Sequence, residues 1–298
     1  MQRWKTAAAV GVVIAATACD QGTDTDFRNP RPEGAPDVVV ISVSGHQLGE
    51  SGPCDIVDQA RRLLACPYLD DRGTTDAVMA PARDAGLAVG GFEYGDSIHT
   101  WTYPDSEVVV LYGFLDMVST FNFVEERWVT GLDNPSRVVV VAHGHGVVWA
   151  HTAAMLHPDL PIEALIDLDG ESLAWEEDDR SLDPWDGDQW GPMLRSFSRS
   201  EDVDWAFDIW DAADVWSVPG LPDPQDIEDV VPDNVLLNLE VASSDLVLRD
   251  REPNHRLDGT TDGIHRRTFD ERHQDVAQPD SAAVQWVSEA LATEVVWE

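Results

Sequence analysis

Lysine is almost absent from this chain. Lys5 is the only one in 298 residues. Any fold past residue 5 must therefore work without a P-loop lysine, a lysine Schiff base or an S-x-x-K dyad. Positive charge is scarce altogether: 19 Lys and Arg face 56 Asp and Glu, for a formal net charge of −37. A field this negative repels nucleic acid and anionic lipid surfaces, so neither is an expected partner. Cysteine is scarce too, with three residues at 19, 54 and 66. There is no C-x-x-C, no H-E-x-x-H and no complete calcium loop, so no metal and no cofactor is expected. Asp167, Asp169 and Glu171 alternate in DLDGE, and Asp183, Asp186 and Asp188 cluster nearby, but acidic turns are common in so acidic a chain.

Long hydrophobic runs are also missing, with one short exception. Arg3 and Lys5 precede the small and apolar stretch Thr6–Ala18, which is short for a membrane span and ends in small residues before Cys19. This segment resembles a bacterial lipoprotein signal peptide with Ala16, Thr17 and Ala18 before the cysteine. The resemblance implies cleavage before Cys19, a lipid on its thiol, and an exported protein held at the cell envelope through that anchor. Plain secretion with an unlipidated Cys19 is the alternative. Residues 1–18 are then the leader and residues 19–36, polar and rich in Pro and Gly, a flexible tether. In an oxidising compartment Cys54 and Cys66 are expected to form a disulfide, with two buried thiols as the alternative.

From residue 37 onward, apolar runs alternate with helical patterns. Asp37–Ser44, Leu87–Tyr94, Arg137–Ala142, Ile162–Leu168 and Val235–Ala242 read as strands. Asp55–Ala65, Thr75–Ala85, part of Glu107–Leu132, Val147–Leu156 and Ser281–Val295 read as helices. The expected class is α/β: a mostly parallel central sheet with helices on both faces. Residues 170–232 break the rhythm, with six of the twelve tryptophans, 18 acids and three arginines. This stretch, with a helix expected over Ser200–Trp216, reads as an inserted acidic, Trp-rich cap.

The segment RVVVVAHGHGVVWA (137–150) runs strand, sharp turn, helix. That is the setting in which a G-x-S-x-G elbow presents a serine. Here Ala142-His143-Gly144-His145-Gly146 resembles the A-H-S-H-G elbow of the α/β-hydrolase superfamily, lipase and esterase type, with Gly144 at the nucleophile position. The superfamily order of nucleophile, acid and histidine implies Asp245 as acid, just past VLLNLEVASS, and His273 as base in DERHQDVAQPD. The resemblance further implies oxyanion or pocket roles for Gly45, His46 and Gln47 after the first strand, and for His143 and His145 around the elbow.

Two functions follow as expectations. One is a catalytically impaired pseudo-hydrolase that binds a small molecule or partner in a capped pocket. The other is a carboxylic ester hydrolase working through a non-standard nucleophile or a His273-activated water. A purely structural envelope lipoprotein is a third.

Overall fold

The computed structural model describes residues 29–45, 67–95, 101–102, 110–111, 113–170, 215–216, 225–226, 228–244 and 253–297. Its centre is a six-stranded, wholly parallel sheet. The strands are β1 (Val38–Ser44), β2 (Val89–Gly95), β3 (Arg137–His143), β4 (Ala164–Leu168), β5 (Asn238–Ala242) and β6 (Ile264–Thr268). Their spatial order is β6-β5-β4-β3-β1-β2. The expected α/β class is thus the observed one.

The middle strands are β-branched and covered on both faces. Every residue of β1 is buried, as is β3 from Val138 to His143. Each buried valine contributes about 1.5–3 kcal/mol of transfer free energy, so this pair is the hydrophobic centre of the domain. The chain begins in β1, steps outward to β2, then returns to the other side of β1 with β3 and marches away. The order therefore reverses between β1 and β3. Crevices at the carboxyl ends of strands on either side of such a reversal are where open α/β sheets bind ligands.

Helices α3 (Phe114–Val124) and α4 (Gly146–Leu156) cover one face. Helices α1 (Thr74–Val78), α2 (Ala80–Asp84) and α6 (Ala282–Glu294) cover the other, while the short α5 (His273–Val276) sits at the carboxyl edge. The single helix expected over Thr75–Ala85 is in fact two, parted at Met79 ahead of Pro81, because proline supplies no N–H to continue the first ladder. Within the expected Glu107–Leu132 stretch, α3 passes into a π-helical turn at Glu125–Val129 and stops at Thr130–Gly131. Helix α6 starts where expected: the Ser281 hydroxyl accepts from Val284 N–H, and Glu271 accepts from Ala282 and Ala283 N–H.

The expected helix over Asp55–Ala65 lies outside the described residues. So do nearly all of the cap and most of Ser200–Trp216. Val215–Trp216, assigned to that helix from sequence, form a short antiparallel pair with Gln225–Asp226 instead. Cys19, Cys54 and Cys66 lie outside as well. Among the described residues no helix is long and apolar enough to cross a membrane.

Candidate active site

β3 ends at His143, Gly144 turns the chain, and α4 begins at Gly146 with His145 as its N-cap. Gly144 has φ +57°, the left-handed region that glycine enters without a Cβ clash. Its N–H donates to Leu168 C=O at the end of β4, and its own carbonyl accepts from Val147 N–H. The elbow is therefore tied to the neighbouring strand and to its own helix.

The loop leaving β1 presses on this turn. A Cβ at Gly45 would stand 2.5 Å from His143 O and 2.9 Å from His145 N, and one at Gly146 would stand 2.5 Å from Val43 O. Both positions need glycine because backbone meets backbone there. Gly45→Ala is expected to cost about 1–3 kcal/mol, the range for forced overpacking, as a lowered midpoint in denaturant unfolding.

His273 opens α5 at the sheet's carboxyl edge. Three contacts place its loop: Phe269 N–H donates to Ala242 C=O, and Ser244 donates to Glu271 C=O from both its N–H and its hydroxyl. The His273 ring then reaches Gly144. A Cβ on Gly144 would lie 3.1 Å from His273 Nε2 and 3.3 Å from Cε1. The imidazole thus occupies the margin of the space a nucleophile's side chain would take.

The carboxylate that meets His273 is Asp169: Nδ1 to Oδ2 is 2.8 Å. Chain order singled out Asp245, which lies outside the described residues. The geometry has a simple basis. β4 is the immediate neighbour of β3, so its end stands beside the elbow, whereas β5 is one strand further out. Asp169 is fully buried, and its other oxygen accepts from Ser243 N–H at 2.8 Å. Burial disfavours its charge, but the hydrogen bonds from His273 and Ser243 prevail and hold the carboxyl below its ordinary value. Asp169 also has φ +55°, alone among described non-glycine residues in the left-handed region. Strain of that kind costs about 1–3 kcal/mol and gathers at functional sites.

Since a carboxylate only accepts, Nδ1 of His273 carries the proton and neutral His273 keeps its lone pair on Nε2, toward Gly144. This is the arrangement of a general base with its orienting acid. At the elbow itself, Gly144 brings no side chain to this pair.

His143 sits beneath this pair. Its Nε2 donates to the His273 carbonyl at 2.8 Å, and its Nδ1 accepts from the Tyr68 hydroxyl. The two imidazoles lie 4.6 Å apart between centroids. Tyr68 is held in turn by the Ser44 hydroxyl at its N–H and by the Arg72 guanidinium over its ring. Burial, then the neighbouring His273, pushes His143 down to about 3. The unfolded chain takes up this proton below about pH 6.5 while the native state refuses it. Stability should fall as pH drops from about 6.5 toward 3, with a slope of up to about 1.4 kcal/mol per pH unit from this residue. His143→Gln should flatten that part of a stability–pH profile.

His145 is buried, with its ring edge-on to Trp149 at 5.6 Å. As the residue after Gly144 it also supplies the backbone N–H that the resemblance assigns to an oxyanion hole. Of the residues expected at the site, Gly45, His143, Gly144, His145 and His273 come together; His46 and Gln47 lie outside the described residues. Asp167, once grouped with Asp169 by alternation, faces α4 and bonds His151 rather than the site. Among the described residues no group of three or more His, Cys, Asp or Glu is placed to hold a metal ion.

No protein-family model and no curated protein matches the chain. Solved structures similar to it include a hyperthermophilic esterase from the archaeon Pyrobaculum calidifontis, 12% identical, covering 90% of this chain and 79% of that one with a TM-score of 0.41. The type II thioesterase BorB of the borrelidin biosynthetic cluster is 13% identical, with 89% and 97% covered and a TM-score of 0.40. An esterase domain of a Rhodothermus marinus protein is 11% identical, with 89% of each chain covered and a TM-score of 0.35.

Proposed function

We propose that this chain is a hydrolase-like protein that binds, rather than covalently processes, a small carbonyl-bearing ligand at the β1–β3 reversal. The observation that carries this reading is the convergence of the Asp169–His273 pair on a residue without a side chain. Loss of a serine nucleophile costs about six orders of magnitude in turnover in a serine hydrolase. A glycine at the elbow also relieves the strain another residue would bear at φ +57°. The proposal extends to an extracytoplasmic location, with the chain anchored through a lipid on Cys19. Metabolic labelling with a lipid precursor tests that part: label should enter the protein and be lost in Cys19→Ala.

The functional test uses the full chain. A fluorophosphonate probe should leave no adduct, and short- and medium-chain fluorogenic esters should turn over at the buffer rate. A medium-chain methyl ketone, an ester isostere, should still shift the His273 ring signals in NMR. A phosphonate adduct sinks the proposal.

The 2.8 Å Asp169–His273 bond favours one second reading, in which His273 Nε2 deprotonates a water that attacks an ester directly. Ester turnover above background that disappears in His273→Ala, with no phosphonate adduct, would replace the first reading by this one.

A further inference from the structure

A second polar cluster lies on the other side of β1, away from His273. The face of β1 that carries Val38 and Val40 packs into the core under α1, α2 and α6. Side chains alternate along a strand, so Ser42 shares that face. Its register partner on β2 is Glu93. Polar residues at two paired positions interrupt an otherwise apolar surface. Above them stand Thr75 of α1 and Asp70 of the preceding turn. Together they line a cavity of about 100 Å³ whose remaining walls include Val40, Val89 and Phe92.

The oxygens here are under-used. Thr75 is 6% exposed, and its Oγ1 meets no hydrogen-bond partner among the described residues. Leaving such a hydroxyl buried and unsatisfied costs about 1–3 kcal/mol. The Ser42 hydroxyl makes one long contact, 3.5 Å to Phe92 C=O. Glu93 accepts from Asp70 N–H at 2.9 Å, but among the described residues no cation forms an ion pair with it. Arg83 also reaches the cavity, yet its guanidinium is engaged by the Asp76 carboxylate and carbonyl. Burial, with Asp70 and Asp71 adding repulsion, pushes the Glu93 carboxyl up to about 7 against that hydrogen bond.

We propose that this cavity binds a primary alkylammonium group, held by Glu93, Thr75 Oγ1, Ser42 Oγ and Asp70, with its carbon chain against Val40 and Val89. An ammonium offers three donors and no acceptor, matching a set made only of oxygens. The apolar walls and two carboxylates suit it better than a multivalent metal, which takes six or more oxygens. Past Lys5 the chain has no lysine of its own to fill the place, so the ammonium comes from a free amine or from another protein's lysine.

The test is a ¹⁵N-resolved NMR titration of the full chain with n-propylammonium chloride and, separately, with Nα-acetyl-lysine methylamide. Sodium and calcium chloride at matched ionic strength serve as controls. Saturable shifts at the Ser42, Thr75 and Glu93 amides are expected with the first probe; shifts with the second extend the source to protein lysines. Glu93→Gln and Thr75→Val should each weaken binding about tenfold or more, the loss of one charge-assisted or buried hydrogen bond, while Thr75→Ser retains it. Unchanged β3 amide signals certify that each variant is folded. The absence of saturable shifts with either amine, equal shifts from sodium or calcium, or undiminished binding by folded Glu93→Gln would each overturn the proposal.

Discussion

Gly144→Ser is expected to raise ester hydrolysis well above that of the wild type. The new hydroxyl would stand against His273 Nε2, whose other nitrogen is already fixed by Asp169 at 2.8 Å. The rise should be about two to three orders of magnitude over wild type, the usual contribution of a positioned general base. It should come with phosphonate labelling at residue 144. The gain is expected to stay below that of an evolved hydrolase, because a Cβ at 3.1 Å from Nε2 requires the imidazole to retreat by a few tenths of an ångström. The variant should also lose about 1–3 kcal/mol of stability, since serine would have to hold φ +57°. A second substitution identifies the acid. Asp169→Asn on this background should return the rate to baseline by spoiling the His273 tautomer, whereas Asp245→Asn should leave it intact. A folded Gly144→Ser chain that neither hydrolyses esters nor takes up phosphonate would remove the elbow from consideration as a reaction centre.

Asp167→Ala should be the most damaging single substitution in the core. Asp167 is 1% exposed, and one of its oxygens receives His151 Nε2 at 3.0 Å, the Asn238 amide at 2.6 Å and the Asn254 amide at 2.9 Å. His151 also donates to Val230 C=O. Truncation strands a buried imidazole and two buried amides together. Breaking a buried charge pair from one side typically costs about 3–5 kcal/mol, which at about 2–4 °C per kcal/mol for a domain of this size lowers Tm by about 10 °C. Differential scanning calorimetry checks it.

The same pair gives a pH signature opposite to that of His143. Burial opposes charge on His151, but Asp167, the Val230 carbonyl and Asp229 outweigh it and raise the imidazole above its ordinary value. The native state then binds this proton more tightly than the unfolded chain. The contribution is complete below about pH 6.5 and is lost as pH rises through the native value. His143 weakens the fold on the acid side and His151 on the alkaline side, so their two effects bracket neutrality.

Five of the six sheet strands are legible as largely apolar runs, which single polar residues such as Ser42, Glu93 and Asp167 do not hide. β6, with the sequence Ile-His-Arg-Arg-Thr, is not, since an edge strand exposed on alternate residues carries no such run. The elbow is legible because strand, tight turn and helix follow one another within fourteen residues. The acid is not. Both Asp169 and Asp245 lie between Gly144 and His273 in the chain and both follow a strand, so linear order cannot choose between them. What chooses is adjacency of β4 to β3, which exists only once the sheet has formed. One local clue was available: Asp169 closes the apolar run ALIDL immediately before a glycine, where a strand must end. The Tyr68–His143 bond spans 75 residues and leaves no trace in local pattern.

Helix α4 is held at both ends. Its start is clamped between Gly45 and Val43 by backbone contact, and its last carbonyls, those of Ala154 and His157, share the Asn234 amide with Leu160. Every residue of the helix is buried. Neither terminus is therefore a place for fraying to begin. In deuterated water the amides of α4 should exchange only through global opening, among the slowest of the described residues, so that the elbow rests on a part of the molecule that yields late.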